Sequence, residues 1–155
     1  MALRNIVYDG DDILRKKAKP VREINDKILE LIDDMFETMK EYEGVGLAAP
    51  QVGMLKSIIV IDVSTEEETK KYELINPELL DSIGETEADE GCLSVPGKTG
   101  RVVRPEKVKV KAFDRNGKET VIEGDGLLAR ALCHELDHLN GILYTDIASD
   151  VKEIE

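Results

Sequence analysis

Hydrophobic residues recur every three or four positions between Asn25 and Tyr42, and charged residues fill the positions between them. The repeating positions are Ile28, Ile32, Met35, Met39 and Tyr42. Because an α-helix turns once in about 3.6 residues, this spacing predicts an amphipathic helix whose apolar face packs on a core. Asn25 is suited to cap the start of this helix, and Gly44 is suited to a left-handed turn after its end.

Two strand-like patterns follow in the middle of the chain. Residues 57–63 (SIIVIDV) are rich in β-branched side chains, which predicts a mostly buried strand. Residues 72–80 (YELINPELL) predict a second strand, in which Pro77 marks an edge or a bend because proline cannot donate a ladder hydrogen bond.

A hairpin is predicted in the second half. In residues 102–114 apolar positions alternate with polar ones, which indicates one half-exposed strand. Asn116 and Gly117 form a strong turn signal, and residues 120–124 (TVIEG) are expected to return beside the first strand.

Helices are also predicted near both ends of the chain. Residues 11–19 (DDILRKKAK) indicate a short helix that Pro20 stops. A last helix is expected from Gly126 to Asn140, with Asp125 as its cap and an Asn-Gly pair at its end. This order predicts an α+β fold, in which mainly antiparallel strands pack around the C-terminal helix, because regular βαβ alternation is missing.

Length and composition restrict the function further. With 155 residues and no internal repeat or linker, we expect a single domain spanning residues 1–155. The net charge of −12 repels phosphates, so direct nucleic-acid binding is not expected. No apolar run is long enough for a bilayer and the first residues do not resemble a targeting peptide, so we expect a cytoplasmic location and no membrane partner. Cys92 and Cys133 should then stay reduced.

The chain's only two histidines lie four residues apart in the HELDH stretch, residues 134–138. Residues four apart share one face of a helix, so His134 and His138 can bind a single divalent cation, with Glu135 as a general base beside it. The alternative is an amphipathic helix that carries incidental histidines. Because this spacing together with the glutamate is rare by chance, we interpret the stretch as a metal site.

A catalytic metal needs a third protein ligand and an open position. The downstream candidates are the carboxylates of Asp146, Asp150, Glu153 and Glu155. The upstream candidate is Cys92 in residues 90–94 (EGCLS), which is favoured because a thiolate suits a soft or borderline metal. Cys133 directly precedes His134, so it points about 100° away around the helix and is expected to fill space in the core.

Residues 44–51 (GVGLAAPQ) are a third candidate segment. Gly44 and Gly46 would let a substrate backbone approach closely, and Gln51 would offer an amide donor to a developing oxyanion. Taken alone, such a segment is more often just a helix exit followed by a turn.

Together the three segments resemble the peptide deformylase family. That family carries a GxGxAAPQ loop, an EGCLS segment and a terminal HExDH helix in this order, so the resemblance covers nearly the whole chain. It implies a metal-dependent hydrolase that removes the formyl group from the N-terminal formyl-methionine of newly made polypeptides and releases formate. The partners would be N-formyl-methionyl nascent peptides, with transient proximity to the ribosome.

The resemblance also implies roles for individual residues. The ligands of one divalent metal would be Cys92, His134 and His138. The metal would be Fe²⁺ in the first place, with Zn²⁺, Ni²⁺ or Co²⁺ able to occupy the same site. Glu135 would be the catalytic acid and base, while the side chain of Gln51 and the backbone N–H of Leu93 would hold the oxyanion.

Substrate contacts follow from the same resemblance. The Gly44–Gly46 loop and the Gly91 region would pair with the substrate backbone as an added strand. The walls of the methionine pocket would be Val45, Leu127, Ala131 and His134. Arg130 stands where many relatives have an apolar residue, and we expect its stem to line the rim while its charge stays in water.

Two other functions remain open at this point. An HExxH endopeptidase would use the same helix but would take its third ligand from downstream of it. A non-catalytic module that binds metal or peptide would retain the shape of the site, although such a module has no need of Glu135.

Overall fold

The computed structural model describes residues 2–154, and its elements confirm the α+β class. Two α-helices lie within this range, α1 (Asp26–Glu41) and α2 (Gly126–Leu139). The strands are β1 (Gly46–Ala48), β2 (Ile58–Asp62), β3 (Lys71–Ile83), β4 (Thr86–Cys92), β5 (Val95–Arg104), β6 (Lys107–Phe113), β7 (Glu119–Asp125) and β8 (Ser149–Glu153). Neither α-helix, nor any shorter helix among residues 2–154, has the length and apolar character that crossing a membrane requires.

The strands form two antiparallel sheets. The large sheet has the order β1-β2-β3-β6-β7, and the small sheet has the order β4-β5-β8. Strand β2 separates two hydrophobic clusters, because Ile58 and Val60 pack with α1 whereas Ile59 and Ile61 pack with α2. All four side chains are fully buried, as predicted for this segment. The two helices therefore cover opposite faces of the large sheet.

Helix α1 has the predicted face but a different end. Its buried side chains include Ile28, Ile32, Met35 and Met39, and Asn25 caps it with its side chain. Tyr42 was placed wrongly on the apolar face, because it lies beyond the last helical residue and is 46% exposed. The left-handed residue is Glu43 (φ 56°), not Gly44. Close packing is a different reason for glycine at position 44, because a Cβ there would lie 3.0 Å from the Leu93 Cδ1 atom.

The strand predicted over residues 102–114 is two strands. Strand β5 ends at Arg104 in the small sheet, and β6 begins at Lys107 in the large sheet. Pro105 lies between them, where it has no N–H for a ladder and restricts the residue before it, so the chain changes sheet there. The alternating pattern alone did not reveal this change.

Two turn predictions are confirmed. Pro77 lies in a register shift of β3 against β6, between Ile75 and Glu78, so it marks a bend inside a longer strand. Gly117 has φ 78° in the loop that joins β6 to β7, where Phe113 pairs with Glu119.

The helix predicted over residues 11–19 is only a short 3₁₀ turn, Asp12–Arg15. After this turn the backbone forms hydrogen bonds with other segments instead of helical ones. The N–H of Ala18 donates to the Leu139 carbonyl at 2.8 Å, and the Lys19 carbonyl accepts from Ser57 at 2.9 Å. These bonds hold the segment extended, which local helix propensity could not indicate.

Helix α2 starts and stops close to the predicted residues. Asp125 occupies the N-cap position, although its side chain makes no capping hydrogen bond within the described chain. Gly141 follows the helix with φ 75°, and a Cβ there would lie 2.5 Å from the Arg15 carbonyl oxygen. Glycine at this position therefore serves both the left-handed turn and close packing against the N-terminal segment.

Asp34 on α1 fixes the beginning of the chain. Its carboxylate accepts hydrogen bonds from the Ala2 N–H at 2.7 Å and from the Arg4 guanidinium at 2.9 Å, and only 1% of the residue is exposed. Burial raises the pKa of Asp34, but the hydrogen bond from Ala2 and the charge of Arg4 outweigh burial and hold the pKa below the ordinary 3.8.

We expect Asp34→Asn to lower the free energy of unfolding by about 1.5–3 kcal/mol at neutral pH, because hydrogen bonds to a charged group are lost. A carboxyl with a lowered pKa stabilises the fold above its unfolded pKa, and this contribution disappears as the pH falls through the folded pKa. Urea unfolding should therefore show a constant difference between the two proteins down to about pH 4 and a shrinking one below it. A difference that grows with acid would contradict this assignment.

Candidate metal centre and active site

Two different elements bring three ligand atoms together. His134 and His138 lie one turn apart on α2, while Cys92 is the last residue of β4 in the small sheet. The Cys92 Sγ and His138 Nε2 atoms are 3.3 Å apart, as are the Nε2 atoms of the two histidines. One ligand atom of each residue lies within 4.8 Å of the others.

The donor set fits a single cation. Tetrahedral coordination with bonds of about 2.3 Å to sulfur and about 2.0 Å to nitrogen separates neighbouring ligand atoms by roughly 3.3–3.6 Å. The distances around His138 lie at the lower end of this range. Thiolate and imidazole are ligands that borderline metals such as iron, cobalt, nickel and zinc accept.

The downstream carboxylates do not join this cluster in the described part of the chain. Asp146 binds the Arg15 guanidinium instead. Asp150 and Glu153 lie on β8 at the exposed edge of the small sheet, and Glu155 lies outside the described residues. Cys133 is buried in the hydrophobic cluster beneath α2, as expected, and burial raises the pKa of its thiol.

Glu135 lies next to the ligands and is 4% exposed. Burial raises the pKa of its carboxyl to about 7, against the opposing charge of His134. Its Oε1 atom has no hydrogen-bond partner among residues 2–154. Because an unpaired buried carboxylate oxygen is costly, this atom indicates a place where a ligand supplies a proton donor.

The surroundings shift the pKa values of the two imidazoles in opposite directions. Burial lowers the pKa of His138 well below its usual value, and the charge of His134 lowers it further. Burial also lowers the pKa of His134, but the charge of Glu135 and hydrogen bonds to Cys92 and Glu90 raise it to about 10. A divalent cation binds neutral imidazole, so it would have to displace the proton of His134.

Gly46 on β1 packs directly against the carboxylate of Glu135. A Cβ at this position would lie 2.6 Å from the Glu135 Oε2 atom and 3.0 Å from its Cγ atom. Close approach to the Glu135 carboxylate is therefore a reason for glycine here, in addition to the approach of a substrate that the sequence suggested.

We expect Gly46→Ala to lower kcat by about 10- to 100-fold, because the added methyl group displaces the Glu135 carboxylate by a distance that matters for catalysis. Metal content and the thermal unfolding midpoint should change little, since the end of a flexible side chain can move aside. Steady-state kinetics together with metal analysis tests this expectation. Wild-type kcat in the variant would show that the carboxylate tolerates displacement.

Glu90 orients His134 from the opposite side. Its Oε1 atom lies 2.9 Å from His134 Nδ1, and both of its oxygens accept hydrogen bonds from Arg104 at 3.0 Å. Burial raises the pKa of Glu90, but the hydrogen bonds with His134 and Arg104 lower it to about 2. An anionic carboxylate on the second nitrogen of a metal-binding histidine fixes the ring and strengthens it as a ligand.

The buried ion pairs around Glu90 were not anticipated from the sequence. Arg104 also contacts the Asp137 carboxylate on α2. Arg130 was expected to keep its charge in water, and this expectation is wrong, because the residue is only 9% exposed and its guanidinium binds Glu90. The expectation took water to be the only partner for the guanidinium. A buried carboxylate nearby can hold the charged group instead.

The predicted oxyanion groups lie close to the ligands. The Gln51 side chain is 1% exposed, and its NH₂ group donates to Cys92 Sγ at 3.4 Å and to Ser94 Oγ at 3.1 Å. Leu93 and Ser94 form the two-residue turn between β4 and β5, and the N–H of Leu93 donates no hydrogen bond to the described chain. Ser94, which holds the amide of Gln51, was not selected from the sequence, although it belongs to the EGCLS segment.

A cavity of about 190 Å³ opens beside this centre. Most of the residues that the sequence assigned to substrate contacts line it, namely Val45, Gly46, Gly91, Leu127, Ala131 and His134, whereas Gly44 does not. A larger cavity of about 430 Å³ lies over β3, β6 and β7, and its lining includes none of Cys92, His134 and His138. We therefore assign the chemistry to the smaller cavity.

Two free strand edges border the same cavity. Strand β1 is the first strand of the large sheet, and β4 is the first strand of the small sheet. Each has one hydrogen-bonded neighbour within the described chain, and both contribute residues to the cavity, Gly46 from β1 and Gly91 from β4. Unpaired backbone groups at such edges can bind an extended peptide.

Comparisons with known proteins agree with this geometry. The family model described as Polypeptide deformylase matches residues 3–153. The peptide deformylase of Lachnoclostridium phytofermentans is 56% identical over 155 residues, which cover 99% of this chain and 94% of the relative. A crystal structure of a peptide deformylase from Legionella pneumophila has a TM-score of 0.91 at 50% identity, covering 96% of this chain and 87% of the other. A Met-Ala-Ser-bound peptide deformylase from Acinetobacter baumannii has a TM-score of 0.88 at 36% identity, covering 93% and 97%.

Proposed function

Since this chain belongs to the polypeptide deformylase family, we propose the roles that its own residues take in removing a formyl group. The chain is a hydrolase that acts on the N-terminal formyl-methionine of newly made polypeptides. One observation carries the assignment of the site. The thiol of Cys92 from the small sheet meets the two imidazoles of α2 beside the Glu135 carboxylate.

The three ligands would hold one divalent cation. We assign Fe²⁺ to the site, and the same donors also suit Zn²⁺, Ni²⁺ or Co²⁺. When bound, the cation supplies Lewis acidity, which lowers the pKa of water and polarises a carbonyl oxygen. Glu90 keeps the ring of His134 oriented toward this point through the contact at its Nδ1 atom.

Glu135 transfers the proton. Its carboxylate takes a proton from the water that attacks the formyl carbon, and it then gives the proton to the departing amine. A pKa of about 7 supports this role, because a group that titrates near the working pH can both accept and donate. Formate leaves, and a free α-amine remains on the peptide.

Two hydrogen-bond donors would stabilise the negative charge that develops on the formyl oxygen. The N–H of Leu93 lies in the hairpin turn and donates no hydrogen bond within residues 2–154, and Gln51 can turn one amide N–H from the Cys92 sulfur to the oxyanion. Ser94 keeps the other amide N–H in place. One such donor stabilises the transition state by about 3–4 kcal/mol in comparable sites.

The substrate would lie between the two free strand edges. Its backbone would pair with β1 near Gly46 and with β4 near Gly91, and its methionine side chain would enter the cavity. The walls of this cavity include Val45, Leu127 and Ala131. Met-Ala-Ser bound to the Acinetobacter baumannii relative is a peptide of the kind that this arrangement accepts.

We further propose that residues 1–155 act as one catalytic domain in the cytoplasm, where they meet nascent chains near the ribosome. The match over residues 3–153 supports a domain of this extent. The net charge of −12 supports contact with the nascent peptide rather than with nucleic acid.

A direct assay separates this function from the two alternatives. The metal-loaded protein should release formate from formyl-Met-Ala-Ser and should leave internal peptide bonds of an unformylated peptide intact. Cleavage of the internal bonds without formate release would favour an endopeptidase. Binding of the formyl peptide without either reaction would favour a non-catalytic module.

A further inference from the structure

The metal ligands belong to two elements that must keep a fixed distance. Cys92 lies on β4 of the small sheet, whereas both histidines lie on α2. A shift of α2 along the sheet would therefore separate the thiol from the imidazoles. We propose that Arg130 is a positioning residue that anchors α2 to the backbone of β4 and β5, and that it thereby sets the geometry of the metal centre. This inference rests on the proposed function of that centre.

Arg130 reaches both strands at once. Its Nη1 atom donates to the Val102 carbonyl of β5 at 3.0 Å, and its Nη2 atom donates to the Thr86 carbonyl of β4 at 2.9 Å. Nη1 also binds the Glu90 carboxylate of β4. The side chain is 11% exposed, so these contacts are shielded from water. The planar guanidinium group can make such a divided set of hydrogen bonds, whereas an ammonium group has a single nitrogen.

No other side chain of α2 donates to the backbone of the small sheet within residues 2–154. His134 contacts that sheet through the Glu90 side chain, and Asp137 contacts it through Arg104. These two contacts can follow the movement of a carboxylate or a guanidinium. The carbonyls that Arg130 holds belong to the strands themselves, so they fix α2 against the sheet that carries Cys92.

Arg130 does not serve mainly to neutralise Glu90. Arg104 already makes two hydrogen bonds to Glu90, one to each oxygen. Loss of Arg130 would leave Glu90 paired, while the carbonyls of Thr86 and Val102 would lose their hydrogen bonds to α2. The expected consequence is a movement of α2 relative to β4, with a change in the angle between the Cys92 sulfur and the two imidazoles.

The test compares Arg130→Met with Arg130→Lys and with Arg115→Met as a control. Methionine retains much of the side-chain length but has no donor. Arg115 also joins separate elements, through Glu73 on β3 and Asp33 on α1, and it lies outside the metal centre. Each protein would be loaded with Co²⁺, whose visible absorption reports the arrangement of sulfur and nitrogen ligands, and transfer of the Co²⁺ to a chelator would be timed.

We expect Arg130→Met to shift the Co²⁺ spectrum and to release the metal about 10- to 100-fold faster than the wild type, as is typical when a group that supports a metal ligand is lost. Arg115→Met should keep the wild-type spectrum and release rate. Arg130→Lys should fold, and its spectrum and release rate should lie between those of Arg130→Met and Arg115→Met. Lysine retains one donor nitrogen but lacks the planar guanidinium group that reaches both strands. A wild-type spectrum and release rate in both Arg130 variants would overturn the proposal.

The outcome is separate from that of the proposed function. The spectrum and the rate of metal release require no turnover, so they test Arg130 even in a protein that releases no formate. A wild-type protein that binds Co²⁺ but releases no formate from formyl-Met-Ala-Ser would contradict the function instead. In an active protein, Arg130→Met should lower kcat more than it raises KM, because the displaced groups are those of the reaction centre.

Discussion

Replacing Glu135 with glutamine is expected to lower kcat by about 10²- to 10⁴-fold while the metal content stays near that of the wild type. The amide is nearly the same size as the carboxylate, but it cannot accept the proton of the attacking water. None of the three ligand atoms is changed, so the metal should remain. Formate release under saturating substrate, together with metal analysis of the same samples, tests both parts of the expectation.

Glu30→Gln is the matched control, because it makes the same chemical change at an exposed position of α1. Its kinetics should equal those of the wild type. Unchanged turnover in Glu135→Gln would remove Glu135 from its role. Loss of the metal in that variant would instead show that the carboxylate acts as a ligand or supports one.

Replacing Cys92 with alanine is expected to weaken metal binding by more than the roughly 10- to 100-fold that loss of an outer-shell partner causes. The change removes the only sulfur donor of the cluster that the structure describes. Two imidazoles alone leave the cation with too few protein ligands for a stable site. Competition with a chromophoric chelator measures the affinity, and formate release should fall in parallel.

Cys133→Ala provides a close control, because it removes a buried thiol directly before the first histidine. Its metal affinity should match that of the wild type, although loss of a packed side chain lowers the free energy of unfolding. Equal metal affinities in the Cys92 and Cys133 variants would contradict the ligand assignment.

Local patterns predicted the elements whose geometry depends on neighbouring residues. The 3.6-residue period located α1, and the Asn116-Gly117 pair located the hairpin between β6 and β7. His134 and His138 could be placed beside each other for the same reason, since helical geometry fixes the separation of residues four apart. In each of these cases the information lies within one turn of helix or one loop.

Contacts between distant segments could not be predicted in this way. The Arg130 side chain was expected at the rim with its charge in water. Its partner Glu90 lies 40 residues earlier in the chain, beyond the reach of any local pattern. No local sequence pattern indicates that side chains of α2 reach Glu90 on β4. The prediction of one strand over residues 102–114 was wrong for a similar reason. The division at Pro105 depends on a second sheet, and the short sequences of β4 and β8 do not indicate that this sheet exists.

The role of Cys92 could be predicted only in part from the sequence. Softness of the thiol favoured it as the third ligand, but the downstream carboxylates remained open until the resemblance to a family was considered. The structure brings its sulfur within 3.3 Å of His138 Nε2 through the hairpin between β4 and β5, whose turn also carries Leu93 and Ser94. One tight turn therefore brings together the proposed thiolate ligand, the proposed oxyanion donor and the hydroxyl that binds Gln51.

X-ray absorption spectroscopy of the protein loaded with one equivalent of Zn²⁺ tests the metal centre most directly, because it counts sulfur and nitrogen neighbours of the metal itself. We predict one sulfur at about 2.3 Å, two imidazole nitrogens at about 2.0 Å and one further light atom in the open position. The sulfur should vanish in Cys92→Ala and persist in Cys133→Ala. A wild-type shell that contains only nitrogen and oxygen would show that Cys92 is not a metal ligand.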